Sequence, residues 1–96
     1  MTYYVALMED AGPDHAVGVW FPDLPGCISA GDDIDEALRN APEALELHAE
    51  GLKEDGQSLP RPRTLTELKA DPAVADDLKT HMVALVELRA RAHAAE

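Results

Sequence analysis

One cysteine, four histidines and several clustered carboxylates are the residues of this chain whose types could do chemistry, and their spacing decides which chemistry stays open. A nucleophilic cysteine needs a nearby base and a lowered pKa. Cys27 follows Pro25-Gly26, and its nearest ionisable neighbours in sequence, Asp23 and Asp32, would raise a thiol pKa rather than lower it. The expectation is a small buried residue. His15, His48, His81 and His93 form no pair at i,i+4 and no H-E-x-x-H, and no second cysteine completes a zinc set. Asp32, Asp33, Asp35 and Glu36 could together hold a hard cation for phosphoryl chemistry. At the start of a helical pattern, however, the same residues are better explained as caps. The chain has no G-x-x-x-x-G-K-[ST], G-x-G-x-x-G or G-x-S-x-G, so nucleotide cradles and nucleophile elbows find no support. No catalytic residue, metal or cofactor is expected, and the chain does not read as an enzyme.

The stretch that must position everything else is Phe21-Pro22-Asp23-Leu24-Pro25-Gly26-Cys27-Ile28-Ser29-Ala30-Gly31-Asp32. Its prolines fix φ and its glycines admit geometries that other residues reach only with strain, so it encodes a shaped corner. Before it, Thr2 to Met8 alternates with apolar groups on both sides and predicts a strand covered on both faces. Glu9 to Asp14 is dense in turn formers, and His15 to Phe21 is β-rich again, which predicts a hairpin. Cys27 to Ala30 is long enough only for a third strand of the same sheet.

After the corner the period changes. Asp33 as N-cap and Glu36 three residues later open a long helix, with Ile34, Leu38, Ala41, Leu45, His48 and Leu52 recurring on one face and Gly56 as the stop. Pro42 lies inside this pattern, where it removes the bond to the Leu38 carbonyl; a kink there, or two shorter helices, is expected. Asp35–Arg39 and Arg39–Glu43 are opposite charges at i,i+4, whereas Glu43, Glu46, Glu50 and Glu54 form a poorly neutralised stripe. Leu59 to Arg63 must be extended, Thr64 to Glu67 opens a short helix that stops before Pro72, and Ala73 to Lys79 makes another. Met82 to Leu88 is ambiguous by period, and its valines favour a fourth strand. Residues 89–96 read as a helix-prone or frayed tail.

The 8 basic and 19 acidic residues leave a net charge of −11. Residues 1–55 hold 13 acids and 2 bases, while 56–96 hold 6 of each. Such a first half is not suited to a phosphate backbone or an anionic membrane and favours a basic partner. A lone cysteine fits a reducing compartment, the N-terminus lacks a signal-peptide pattern, and no uncharged run approaches the ~20 residues of a membrane span. A soluble, cytoplasmic protein is expected. Ninety-six residues give one domain with a small core and exposed strand edges, so a homodimer or larger assembly is expected as well.

The corner, followed by Asp35-Glu36-Ala37-Leu38 and then Gly51-Leu52, Glu54-Asp55-Gly56 and Leu59-Pro60, resembles the HicB-like antitoxin family of bacterial toxin–antitoxin pairs over about residues 2–88. The resemblance implies an α+β fold of partial RNase H type. That is an antiparallel sheet of three to four strands with one long helix packed on a face, here with short C-terminal helices, and without the RNase H catalytic acids. It implies one domain over 1–88 and a role in neutralising HicA, a small basic mRNA-cleaving toxin with a double-stranded-RNA-binding-like fold. No contact residue carries over by motif; the toxin-binding candidates, taken from charge, are Asp32, Asp33, Glu36, Glu43, Glu46, Glu50 and Glu54. Family members commonly add a C-terminal ribbon–helix–helix or helix-turn-helix, for which this chain has no room before Glu96, so DNA binding is not expected of it. Pro42 also departs from a helix that the family keeps long. Two alternatives remain open: a stand-alone regulatory or ligand-binding module of the same fold, and a metal-dependent RNase H-like nuclease.

Overall fold

Apolar residues on both sides of the first strand require cover on both of its faces. The structure, a computed structural model, describes residues 1–89 and bears this out. Strand β1 (Thr2–Asp10) lies between β2 (Val17–Trp20) and β4 (Met82–Leu88), and β3 (Ile28–Gly31) follows β2, giving the order β3-β2-β1-β4. Every pairing is antiparallel. Residues Tyr4 to Met8 are all buried because both faces of β1 are covered. Met82 to Leu88 is a strand, paired along its length with β1 from Thr2↔Leu88 to Met8↔Met82. The tail expected over 89–96 lies, but for Arg89, outside the described residues.

The register separates two faces. Tyr4, Ala6, Met8, Val17, Val19 and Val86 pack with Phe21, Leu24 and Cys27 against helix α1 (Ile34–Glu54). Tyr3, Val5, Leu7, Trp20, Val83 and Leu85 point the other way, toward residues 62–65 and two short helices, α2 (Leu65–Lys69) and α3 (Pro72–Thr80). On that second side Trp20 meets the His81 ring edge-on at 5.0 Å between centroids.

Helix α1 begins where the carboxylates predict. Asp33 accepts the Glu36 backbone N–H at 2.8 Å, and Asp35 and Glu36 sit in the first turn, at the positive end of the helix dipole. It ends at Gly56, with φ +74°, where Gly56 N–H donates to the Lys53 carbonyl and Gln57 N–H to the Leu52 carbonyl, the paired bonds of a Schellman cap. Pro42 is accommodated within one continuous 21-residue helix, so the alternative of two shorter helices does not hold. The apolar stripe also includes Ala37 and Ala44, absent from the sequence-based stripe. A Cβ on Gly31, at the end of β3, would collide with the backbone of Glu36 and Ala37, so strand and helix approach closely only because one position is glycine.

Two substitutions check this packing. Gly31→Ala forces β3 away from the first turn of α1 and lowers the thermal midpoint. Leu45→Ala empties a buried site and costs about 2–5 kcal/mol. Urea denaturation followed by circular dichroism reads both.

Candidate functional site

The Phe21–Asp32 corner is built from two consecutive turns. Leu24 N–H donates to the Phe21 carbonyl and Cys27 N–H to the Leu24 carbonyl, each at 3.0 Å. Pro22 and Pro25 stand at the second position of these turns, and Gly26, with φ +90°, supplies the left-handed residue that a type II turn needs. The turns bury Phe21, Leu24 and Cys27 side by side. The Cys27 thiol lies 3.7 Å from the Ala44 carbonyl, and burial pushes its pKa up to about 11. Burial, not the acids nearby in sequence, is what raises it. The residue is a packed apolar group.

Sequence reasoning missed the role of Asp23. Its side chain is 6% exposed and takes two hydrogen bonds from Arg63: one from the backbone N–H and one from Nε, both at 2.7 Å. Arg63 also donates from Nη1 to Asp71 at 2.8 Å, which holds the Asp71 carboxyl below the usual range. Next to it, Arg61 forms a two-point pair with Glu67, at 2.9 and 3.1 Å, and Glu67 accepts the Thr64 N–H in a capping box. The Arg61 bond, with help from Thr64, lowers the Glu67 pKa to about 2. The alternation Pro60-Arg61-Pro62-Arg63 was the available signal. What it could not reveal was a partner 40 positions earlier.

The seven charge-selected residues do not assemble into one pocket. Asp32, Asp33 and Glu36 cluster at the start of α1, where they are engaged in its cap: Asp33 binds the Glu36 N–H, and Glu36 Oε1 accepts the Asp32 N–H. Glu54 stands at the other end, roughly 30 Å away along a helix of this length. Two contacts fix how α1 is turned. Asn40 donates to the Ala30 carbonyl, so its side of the helix faces β3, while Glu46 lies 3.9 Å from Arg89, just past β4, and is only 18% exposed. With 3.6 residues per turn, Glu36, Glu43, Glu50 and Glu54 then share an outward stripe and Glu46 falls outside it. Leu47 sits in the middle of that stripe and is 56% exposed, an apolar residue that charge reasoning passed over. The pairs expected at Asp35–Arg39 and Arg39–Glu43 do not close among the described residues; the ion pairs of α1 include Glu46–Arg89. Water competes well with such exposed partners.

Among the described residues no group of three or more His, Cys, Asp or Glu could hold a metal ion, and no helix is long and apolar enough to cross a membrane. The fold is thus an antiparallel sheet carrying one long helix with an acidic outer stripe. The model of the family described as HicB_like antitoxin of bacterial toxin-antitoxin system matches residues 3–95, and the chain belongs to that family. It is a family of antitoxins, not of enzymes.

A crystal structure of the antitoxin HicB of Burkholderia pseudomallei is 33% identical with a TM-score of 0.71, covering 91% of this chain and 63% of that one. The solved HicA3 and HicB3 toxin-antitoxin complex contains a chain 26% identical, TM-score 0.71, covered over 93% of this chain and 100% of its own length. An uncharacterised 14.9 kDa protein from the rep-hol intergenic region of Haemophilus phage HP1 is 38% identical over 77 residues, 80% of this chain. The chain spans 56% of that phage protein and 63% of the Burkholderia one.

Because the carboxylates of Glu67 and Asp71 titrate lower in the folded protein than in the unfolded one, their contribution is full above pH ~4.5. For Glu67 it disappears as the pH falls toward about 2. Wild type and Glu67→Gln should therefore differ in thermal midpoint at neutral pH and converge at about pH 2. Asp23→Ala, which leaves Arg63 without its main acceptor, lowers the midpoint by several degrees at neutral pH. Scanning calorimetry across the acid range checks both.

Proposed function

We propose that this chain is an antitoxin that binds and neutralises a small basic HicA-type mRNA interferase through the acidic outer surface of α1. The observation that carries this reading is the likeness, over that chain's whole length, to a chain of the solved HicA3–HicB3 complex. Charge supports it independently, since a surface with 13 acids and 2 bases over residues 1–55 can occupy a cationic surface meant for RNA and speed its capture.

Within that surface the roles divide. Glu43 and Glu54 are exposed and Glu50 shares their stripe; they are the acids best placed to meet lysines and arginines. Asp32, Asp33 and Glu36 extend the field at the helix start while capping it, and Glu46 contributes least because it turns toward Arg89. Leu47 is an exposed apolar residue of this patch, with Glu43 and Glu50 one helical turn to either side. Interfaces draw most of their affinity from a desolvated centre and most of their on-rate from the charged rim.

Co-expression of the chain with a small basic HicA-type protein tests the proposal. Growth rescue and a co-purifying complex are expected; toxicity that persists with no complex refutes it. Glu43→Lys combined with Glu54→Lys should slow association about tenfold or more at low salt, a difference that shrinks as ionic strength rises. Leu47→Ala should speed dissociation with little salt dependence. Surface plasmon resonance separates the two rates.

A further inference from the structure

We propose that a groove on the face of the sheet opposite α1, floored by Gly18, is a docking surface for an extended, arginine-bearing segment of a basic polypeptide. The proposal goes beyond the toxin contact through α1 and does not rest on it. Antiparallel pairing puts Glu9, Gly18 and Ala30 in one row across β1, β2 and β3 and Leu7, Trp20 and Ile28 in the next, all on the side away from α1. A groove of about 520 Å³ opens there, with Glu9, His15, Trp20, Ile28 and Ala30 around Gly18. Ile28 is 70% exposed, and His81 holds the Trp20 ring edge-on. Apolar surface of this kind with a polar rim marks a contact site. Gly18 sharpens the reading, because a glycine inside a strand signals a bulge, a bend or a place where a ligand or another backbone comes close. Its φ is not left-handed, its pairing runs on without a bulge, and a Cβ there would meet nothing within 4 Å. Nothing inside the chain requires the missing side chain, which leaves close approach from outside.

Charge selects a cationic polypeptide as the occupant. Strands β1, β2 and β3 and the segments joining them lack lysine and arginine altogether: residues 1–38 hold 8 acids, and the first base of the chain is Arg39. Four of those acids stand at this end of the sheet. Glu9 lines the groove, Asp10 follows it, Asp14 lies in the hairpin turn and Asp32 just past β3, and all four are exposed. Among the described residues Glu9 forms no ion pair. A nucleic acid, or a second copy of a chain of net charge −11, would bring like charge to this rim. An arginine instead meets both halves of the site, since its guanidinium stacks on an aromatic face and pairs with a carboxylate. Trp20 and Glu9 are diagonal neighbours across β1 and β2, roughly 7–8 Å apart, a span that one arginine side chain bridges. With Gly18 as the floor, the backbone of the docked segment lies close to β2.

Trp20 is the single tryptophan of the chain, so its emission reports on the groove directly. Titrating the full chain with a short blocked peptide of alternating arginine and threonine should change that emission saturably, and more weakly as ionic strength rises. The same peptide with glutamate in place of arginine should leave it unchanged. Gly18→Val fills the floor with a residue that suits a strand, and should weaken binding about tenfold or more while the circular dichroism spectrum and thermal midpoint hold. Glu9→Lys should weaken it comparably. Glu43→Lys combined with Glu54→Lys, on the α1 side, should leave peptide affinity unchanged at physiological salt, which separates this surface from the one proposed for the toxin. No saturable change up to about 1 mM peptide, an equal response to the glutamate peptide, or a Gly18→Val chain that binds as tightly as wild type overturns the proposal.

Discussion

The contact on which the second half of the fold depends is the grip of Asp23 on Arg63. After α1 ends at Gly56, the chain must leave the helix side of the sheet, round its end and deliver α2, α3 and β4 to their places. Residues 57–64 that make this passage have no regular secondary structure, so their backbone groups need partners from elsewhere. Tyr4 supplies one on the helix side by donating its hydroxyl to the Pro60 carbonyl at 2.6 Å. Asp23 supplies the decisive one, because it fixes both the backbone and the guanidinium of Arg63. Arg63 then reaches Asp71, the N-cap of α3, whose carboxylate also accepts the Ala73 N–H. One buried carboxylate thus ties the β2–β3 corner to the start of the last helix, and that helix leads directly into β4.

This dependence explains why the corner is so strictly shaped. The two proline-led turns do more than reverse the chain between β2 and β3; they hold the Asp23 carboxylate where a segment 40 residues later can close on it. Phe21, Leu24 and Cys27, which the same turns bury, anchor that position from beneath. The corner then ends in Gly31, whose missing side chain lets α1 begin against β3. Corner, strap and helix start form one connected arrangement, with the sheet as its base.

Much of this was legible in the sequence, for physical reasons that differ by element. The strands of the hairpin and the long helix announced themselves because their periods are local properties, and Asp33, Glu36 and Gly56 marked the helix ends because caps are local too. The fourth strand, Met82 to Leu88, was ambiguous by period alone and was settled by its two valines. What could not be read were relations that exist only once the chain is folded. Asp23 looked like one more acid in a turn, since nothing local distinguishes a carboxylate that will be buried against an arginine 40 positions away. The Glu43–Glu54 stripe was visible, but the turning of Glu46 toward Arg89 follows from where β4 ends and not from the spacing of glutamates. Leu47 was passed over because its exposure depends on how α1 is rotated on the sheet.

The uneven charge of the chain gains its meaning from this geometry. Helix α1 lies across the sheet with its small residues, Ala37 and Ala41, inward; the outward surface is left to long side chains, mostly acidic, with Leu47 among them. Of the two bases of the first half, Lys53 lies on the Glu46 side of α1 and Arg39 borders the outward stripe, while the balanced second half of the chain builds β4 itself. Acidic repulsion is thus concentrated on one side of the molecule and relieved on the other. Segregation along the sequence becomes segregation in space because β1, the central strand, receives the acidic half of the chain on one edge and the neutral half on the other.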